Sequence, residues 1–226
     1  MSGDQPDVNA VYAKGKHRFM GIDLLVEPGA LVPRAETELV GGAAVELAKG
    51  LPSPSIIDVC CGSGNLACAI AHHVRSATVW AADLTLSCAA LAQKNVDQLG
   101  LTSRVTVGQG DLFEPLRALL PADGVDVIVC NPPYISTSKL ESDRASLLEN
   151  EPREAFDGGP YGLAIHQRVI KEALALLKSG GHLLFEFGLG QERQMKALFE
   201  RSRAYSGLRF VQNAEGAPRA VVATKI

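Results

Sequence analysis

Asn131-Pro132-Pro133-Tyr134 is the segment of this 226-residue chain whose residue types most restrict the chemistry it can do. Two consecutive prolines hold the backbone extended and contribute no N–H, so the segment offers carbonyl oxygens without competing donors. A planar amide or aromatic amine carries two N–H hydrogens on a nitrogen whose lone pair is delocalised, which makes it a poor nucleophile. The Asn131 side-chain carbonyl can accept one hydrogen and the Pro132 main-chain carbonyl the other, orienting the nitrogen, raising its electron density and excluding water from it. Tyr134 can stack on the planar group and lie near a sulfonium whose positive charge spreads during transfer. That chemistry is transfer of a methyl group to nitrogen. Without it, the tetrapeptide reads as a structural turn closing a strand.

Three more positions carry ligand-type residues, each just after a strand-like run, where open parallel sheets bind ligands. Asp58-Val-Cys60-Cys61-Gly62-Ser63-Gly64 joins a strand to a helix, and Gly62 and Gly64 let backbone approach a ligand closely, with the helix N-terminus favouring an anionic group. Asp83, 21 residues beyond Gly62, can accept both ribose hydroxyls of an adenosine. Asp111 can accept from an adenine amino group while Leu112 packs near the ring; alternatively Asp111 caps the next turn. These three serve S-adenosylmethionine or a dinucleotide equally, since the loop also fits the glycine pattern of dinucleotide sites. NAD chemistry, however, leaves Asn131 to Tyr134 without a role.

The elements that must position these residues alternate. Glu36 to Lys49 has the apolar spacing of an amphipathic helix, and residues 51–55 form a Pro/Ser-rich loop. Strands are expected at Ser55–Cys60, Thr78–Leu84, Arg104–Gln109 and Val125–Cys130, with helices at Asn65–Val74 and Ser87–Leu99 between the first three. The fourth strand is the most apolar, as the centre of a doubly covered sheet requires. A helix from about Leu163 to Lys178, a strand from His182 to Phe187, a helix from Gln191 to Arg201 and a hairpin of Leu208–Gln212 with Arg219–Thr224 complete the chain. The pattern is a doubly wound α/β sheet, mostly parallel, with an antiparallel strand at its end.

A hydrophobic content of 46% supports a sizeable core, and the organisation expected is an N-terminal extension with a lid or helix over residues 1–50 and one catalytic domain over 51–226. The net charge of −3 provides no positive field for nucleic acid or an anionic membrane. Five cysteines, Cys60, Cys61, Cys68, Cys88 and Cys130, are odd in number, include an adjacent pair and lie mostly in apolar runs, which reads as reduced thiols of a cytoplasmic protein. No C-x-x-C pair occurs, and His72 and His73 on a helix point roughly 100° apart, so no metal site is expected. The first residues lack an apolar signal region, and no run of about 18 apolar residues that could span a membrane occurs.

From about Phe19 onward the sequence resembles the PrmC/HemK glutamine N5-methyltransferases, a branch of the class I S-adenosylmethionine-dependent methyltransferases. Four segments carry the resemblance in order: Leu31-Val-Pro-Arg-Ala-Glu-Thr-Glu38, Asp58 to Gly64, Asn131 to Ile135, and Glu151-Pro-Arg-Glu-Ala-Phe-Asp-Gly-Gly159. The resemblance implies a seven-stranded Rossmann-like sheet with a C-terminal antiparallel hairpin and S-adenosylmethionine as cofactor. The loop Cys60 to Gly64, Asp83 and Leu112 would contact that cofactor, and Asn131 to Tyr134 would hold the amide to be methylated. Arg34 and Glu36 would belong to a segment folding over the site; read as residues alone, they are a charge pair at a helix start. The favoured acceptor is a protein glutamine, with a peptide-chain release factor as partner. A small-molecule amine or amide is the alternative that a short N-terminus favours, because members acting on release factors carry a helical docking domain there. Adenine N6-methylation, which uses the same motif on an unpaired base, is the other alternative, and the acidic balance weighs against it.

Overall fold

The computed structural model describes residues 7–226. Its first elements are ones that the periodicity of the sequence does not announce. Helix α1 (Val8–Lys14) runs into strands β1 (Lys16–Phe19) and β2 (Ile22–Leu25), an antiparallel pair turning through Met20 and Gly21, both at positive φ. Four-residue strands, half of them charged or polar, fall below what alternation can signal. Yet Phe19, Ile22 and Leu24 are fully buried in the core cluster that also contains Ile56, Leu66 and Val79, so this hairpin packs as part of the main body.

Helix α2 (Thr37–Lys49) precedes the alternating segment: β3 (Ser55–Val59), α3 (Asn65–His73), β4 (Thr78–Asp83), α4 (Leu86–Gln98), β5 (Val105–Gln109) and β6 (Val125–Cys130). After a short α5 (Thr137–Glu141) and two turns of 3₁₀ helix come α6 (Ala164–Ala173), β7 (Leu177–Glu186), α7 (Glu192–Ser202), β8 (Tyr205–Gln212) and β9 (Pro218–Lys225). The main sheet has the order β5-β4-β3-β6-β7-β9-β8, parallel through β7 and antiparallel where β9 enters between β7 and β8. The seven-stranded sheet with its terminal hairpin is thus the one the alternation leads to. Along β6, Val127 and Val129 join the core beneath α2 and α3, while Ile128 and Cys130 join the opposite core with Val169, Ile170 and Phe199, so a continuous apolar strand is what this position requires.

One boundary differs. The helix expected to reach Lys178 stops at Ala173, and the chain is already paired by Leu177, whose partner is Val125. The helix end is closed from a distance: Lys225 Nζ donates to the carbonyls of Leu174 (2.8 Å) and Leu177 (2.6 Å). A helix stop made by β9 has no local sequence mark. Among the described residues no helix is long and apolar enough to cross a membrane.

Candidate active site

The carboxyl ends of β3, β4, β5 and β6 open into a cavity of about 340 Å³, walled on the far side by residues 31–37 and 152–157. Its floor begins at Cys60, at φ 57°, from which the loop to Gly64 climbs into α3. The loop is rigid. Cys61 N–H donates to Ala82 O (3.0 Å) and Gly64 N–H to Cys61 O (2.8 Å). Gly64 is left-handed, and a Cβ there would stand 3.0 Å from Ala92 Cβ, so α4 packs on the loop at glycine distance.

Asp83 holds the adjoining wall. Its Oδ2 accepts from Gly62 N–H (2.9 Å), and its Oδ1 accepts from Thr85 N–H (3.0 Å) and Thr85 Oγ1 (3.2 Å). Of about four lone-pair positions on a carboxylate, this leaves one on Oδ2 for a ligand hydroxyl. Asp111 lines the cavity too, but its carboxylate is gripped by both guanidinium nitrogens of Arg168, each at 2.9 Å, an α6 partner that nothing local in the sequence marks. Beside it Leu112, at φ 48° and buried, presents its apolar side chain to the cavity.

Asp58, Ser63 and Gly64 stand apart from this lining. Asp58 is fully buried behind the loop, where its Oδ2 accepts from Ala67 N–H (2.9 Å) and Oδ1 has no partner among the described residues. Burial pushes its carboxyl up to about 8, opposed by the Ala67 hydrogen bond and reinforced by the Asp83 charge. The side chain buttresses the loop from behind, and it is not among the residues lining the cavity. Between its ordinary value of 3.8 and about 8 the folded protein keeps a proton that the unfolded chain releases, so stability falls as pH rises through that window. Asp58→Asn, permanently neutral, is expected to flatten that fall in denaturant titrations, and parallel pH profiles for the two proteins would contradict it.

On the other side of the cavity stands the segment after β6. The β6–β7 register pairs Cys130 with Phe185, which sets Asn131 beside Glu186. Asn131 and Pro133 line the cavity; Pro132 is buried, and among the described residues no donor takes its carbonyl. Asn131 Nδ2 donates to Thr37 Oγ1 (3.0 Å), and Thr37 Oγ1 donates to Glu186 Oε2 (2.7 Å). Tyr134 does not face the cavity as a stacking platform. Its hydroxyl turns beneath the site, donating to Glu186 Oε1 (3.0 Å) and receiving from Arg219 Nη2 (3.4 Å). The phenol thus bridges a buried carboxylate and a guanidinium, and burial beside Glu186 raises its pKa well above the ordinary tyrosine range.

Three of the four sequence segments, Leu31–Glu38, Asn131–Ile135 and Glu151–Gly159, are bonded to one another. Ile135 N–H donates to Phe156 O (2.9 Å), and Gly158 N–H to Ile135 O (2.8 Å), zipping Asn131–Ile135 to the 151–159 segment. Gly158 is required there because a Cβ would lie 2.7 Å from Pro133 O. Arg34, read from the sequence as pairing near Glu36, instead pairs with the buried Glu151, 117 residues away, whose Oε1 also accepts from Val32 N–H (2.9 Å). Sequence reasoning missed Thr37, Glu186 and Arg219. Thr37 lay inside the Leu31–Glu38 segment that carries the resemblance, and Glu186 carried a signal as an acid at the end of an apolar strand.

The donor set suits S-adenosylmethionine. A carboxylate with a free lone pair, a backbone loop at glycine distance, and apolar Leu84, Leu112 and Ile165 provide for hydroxyls, a polar tail and a planar base, and the volume is that of a small-molecule site. The "Methyltransferase domain" family model matches residues 52–217. A release factor glutamine methyltransferase of Moorella thermoacetica is 38% identical over 212 residues, 94% of this chain and 73% of that protein. One of Geobacter sulfurreducens is 37% identical over 84% of this chain and 64% of its own length. The crystal structure of TrmN from Thermus thermophilus shares the fold, with a TM-score of 0.56 at 22% identity over 91% of this chain and 56% of that one. The chain is an S-adenosylmethionine-dependent N-methyltransferase and belongs to the release factor glutamine methyltransferase family.

Proposed function

We propose that the protein methylates the side-chain amide nitrogen of a glutamine in a protein, and that a peptide-chain release factor is that protein. One observation carries the reading: Asn131 lines the cavity with its N–H₂ held by Thr37, next to the Pro132 main-chain carbonyl that no donor among the described residues takes, so the segment offers two acceptors side by side. An amide –NH₂ needs two such acceptors. S-adenosylmethionine, when bound, supplies a methyl group on a sulfonium sulfur. The loop Cys60 to Gly64, Asp83, Asp111 and Leu112 would hold it. Asn131 Oδ1 and Pro132 O would grip the two amide hydrogens, turning the nitrogen toward the methyl and strengthening their hold as positive charge develops there. Pro133 and Leu31 would keep water from the nitrogen. In this reading residues 1–50 furnish the edge of the acceptor site through Leu31 to Thr37, and residues 51–226 the methyltransferase domain.

Incubation with labelled S-adenosylmethionine and, separately, unmethylated release factor, single-stranded nucleic acid and small amides tests the proposal. Label is expected in the release factor alone. Label in either of the other acceptors and none in the release factor would overturn it.

A further inference from the structure

An asparagine amide has a donor end and an acceptor end of nearly the same shape, and turning it by half a rotation would present N–H₂ to an acceptor nitrogen that itself carries hydrogens. Something must fix the choice. We infer that Thr37 and Glu186 are positioning residues that hold Asn131 with its carbonyl oxygen toward the acceptor. The inference rests on the amide-acceptor reading above.

Thr37 Oγ1 lies 3.0 Å from Asn131 Nδ2 and 2.7 Å from Glu186 Oε2. A threonine hydroxyl has one hydrogen. Burial raises the pKa of Glu186, opposed by the Thr37 hydroxyl, by Arg219 Nη2 3.7 Å from Oε1 and by the Tyr134 hydroxyl donating to that same oxygen; held as a carboxylate by these three partners, it only accepts, and it takes the Thr37 hydrogen. Toward Asn131, Thr37 can then only accept. The amide must offer its N–H₂ to Thr37, and Oδ1 is left for the cavity. Thr37 and Glu186 are 1% and 2% exposed, so no water can substitute for either partner and relax the choice. The pieces come from four distant places, α2, the segment after β6, β7 and β9, brought together by the Cys130–Phe185 register. Glu186 is not among the residues lining the cavity; Thr37 is, with its hydroxyl taken by Glu186 and Asn131.

Thr37→Val removes the hydroxyl and keeps the shape, and Thr37→Ser restores the hydroxyl. Turnover of Thr37→Val is expected to fall on the order of 10-fold, carried by kcat, with S-adenosylhomocysteine affinity within about twofold and Thr37→Ser close to wild type. Should Thr37→Val fail to fold, Glu186→Gln provides the same test: its N–H₂ would face one of the two hydroxyls that Oε1 and Oε2 now accept, and kcat should drop likewise. The side-chain ¹⁵N amide signals of Asn131, identified by their loss in Asn131→Ala, give a readout without any acceptor. Their hydrogens should exchange slowly in wild type and faster when Thr37 is valine or Glu186 is glutamine. Unchanged exchange in the folded variants would overturn the inference, even if the acceptor proves to be something other than a glutamine; failure of wild type to methylate any protein would count against the functional reading alone.

Discussion

Asn131→Ala is expected to lower kcat on the order of 10²-fold or more, the cost of removing one preorganised hydrogen-bonding group from a transition state. S-adenosylhomocysteine affinity should survive, because Asp83 and the Cys60–Gly64 loop are held by Ala82, Thr85 and Ala92 and by nothing in the Asn131 segment. The split between lost turnover and kept cofactor binding is what separates an acceptor-holding residue from a structural turn. Asn131→Asp sharpens the distinction. Its second carboxylate oxygen would face Thr37 Oγ1, whose hydrogen is already given to Glu186, so two acceptors would meet in a buried place. Steady-state kinetics beside calorimetry would decide: a folded Asn131→Ala enzyme with wild-type kcat contradicts the assignment.

The second large effect is expected at Gly158, which lines no part of the cavity but packs on the backbone of Pro133. An alanine Cβ there would lie 2.7 Å from Pro133 O and 2.8 Å from Gly162 Cα, both backbone, so it can be accommodated only by moving the segment that carries Asn131. Overpacking of this kind costs about 1–3 kcal/mol, and a displacement of about 1 Å in a positioning group can cost on the order of 10²-fold in rate. Gly158→Ala should therefore lower both the thermal midpoint and kcat, whereas Gly42→Ala, on α2 with open space at its Cβ, should lower neither. Wild-type kcat in Gly158→Ala would show that the 151–159 segment does not set the geometry of the acceptor site.

These two residues also mark how far the sequence could be read. The sheet was legible because β3 to β6 alternate with helices at short, regular spacing, and Asn131, Asp83 and Gly62 were legible because each lies at or just beyond the end of its strand. Local order in the chain becomes local order in the site. What was not legible is whatever depends on distant partners. Arg34 meets Glu151, Asp111 meets Arg168, and Thr37 meets both Asn131 and Glu186, across separations of 117, 57, 94 and 149 residues, and no periodicity records such pairings. The orientation of Tyr134 was not legible for the same reason: an aromatic next to two prolines suggests stacking, while the buried Glu186 that accepts from its hydroxyl lies 52 residues on. Asp58 follows the same logic in reverse, sitting in the expected loop motif yet turned inward to support it.

The central claim is that the nitrogen methylated is the side-chain amide of a glutamine. It is tested most directly by incubating the protein with S-adenosylmethionine and unmethylated release factor, digesting the product and locating the added mass by tandem mass spectrometry. The account predicts one methyl group on one glutamine, on the side-chain nitrogen, absent when Asn131→Ala replaces the wild type. A methyl group on a lysine, an arginine, a carboxylate or the backbone would contradict it.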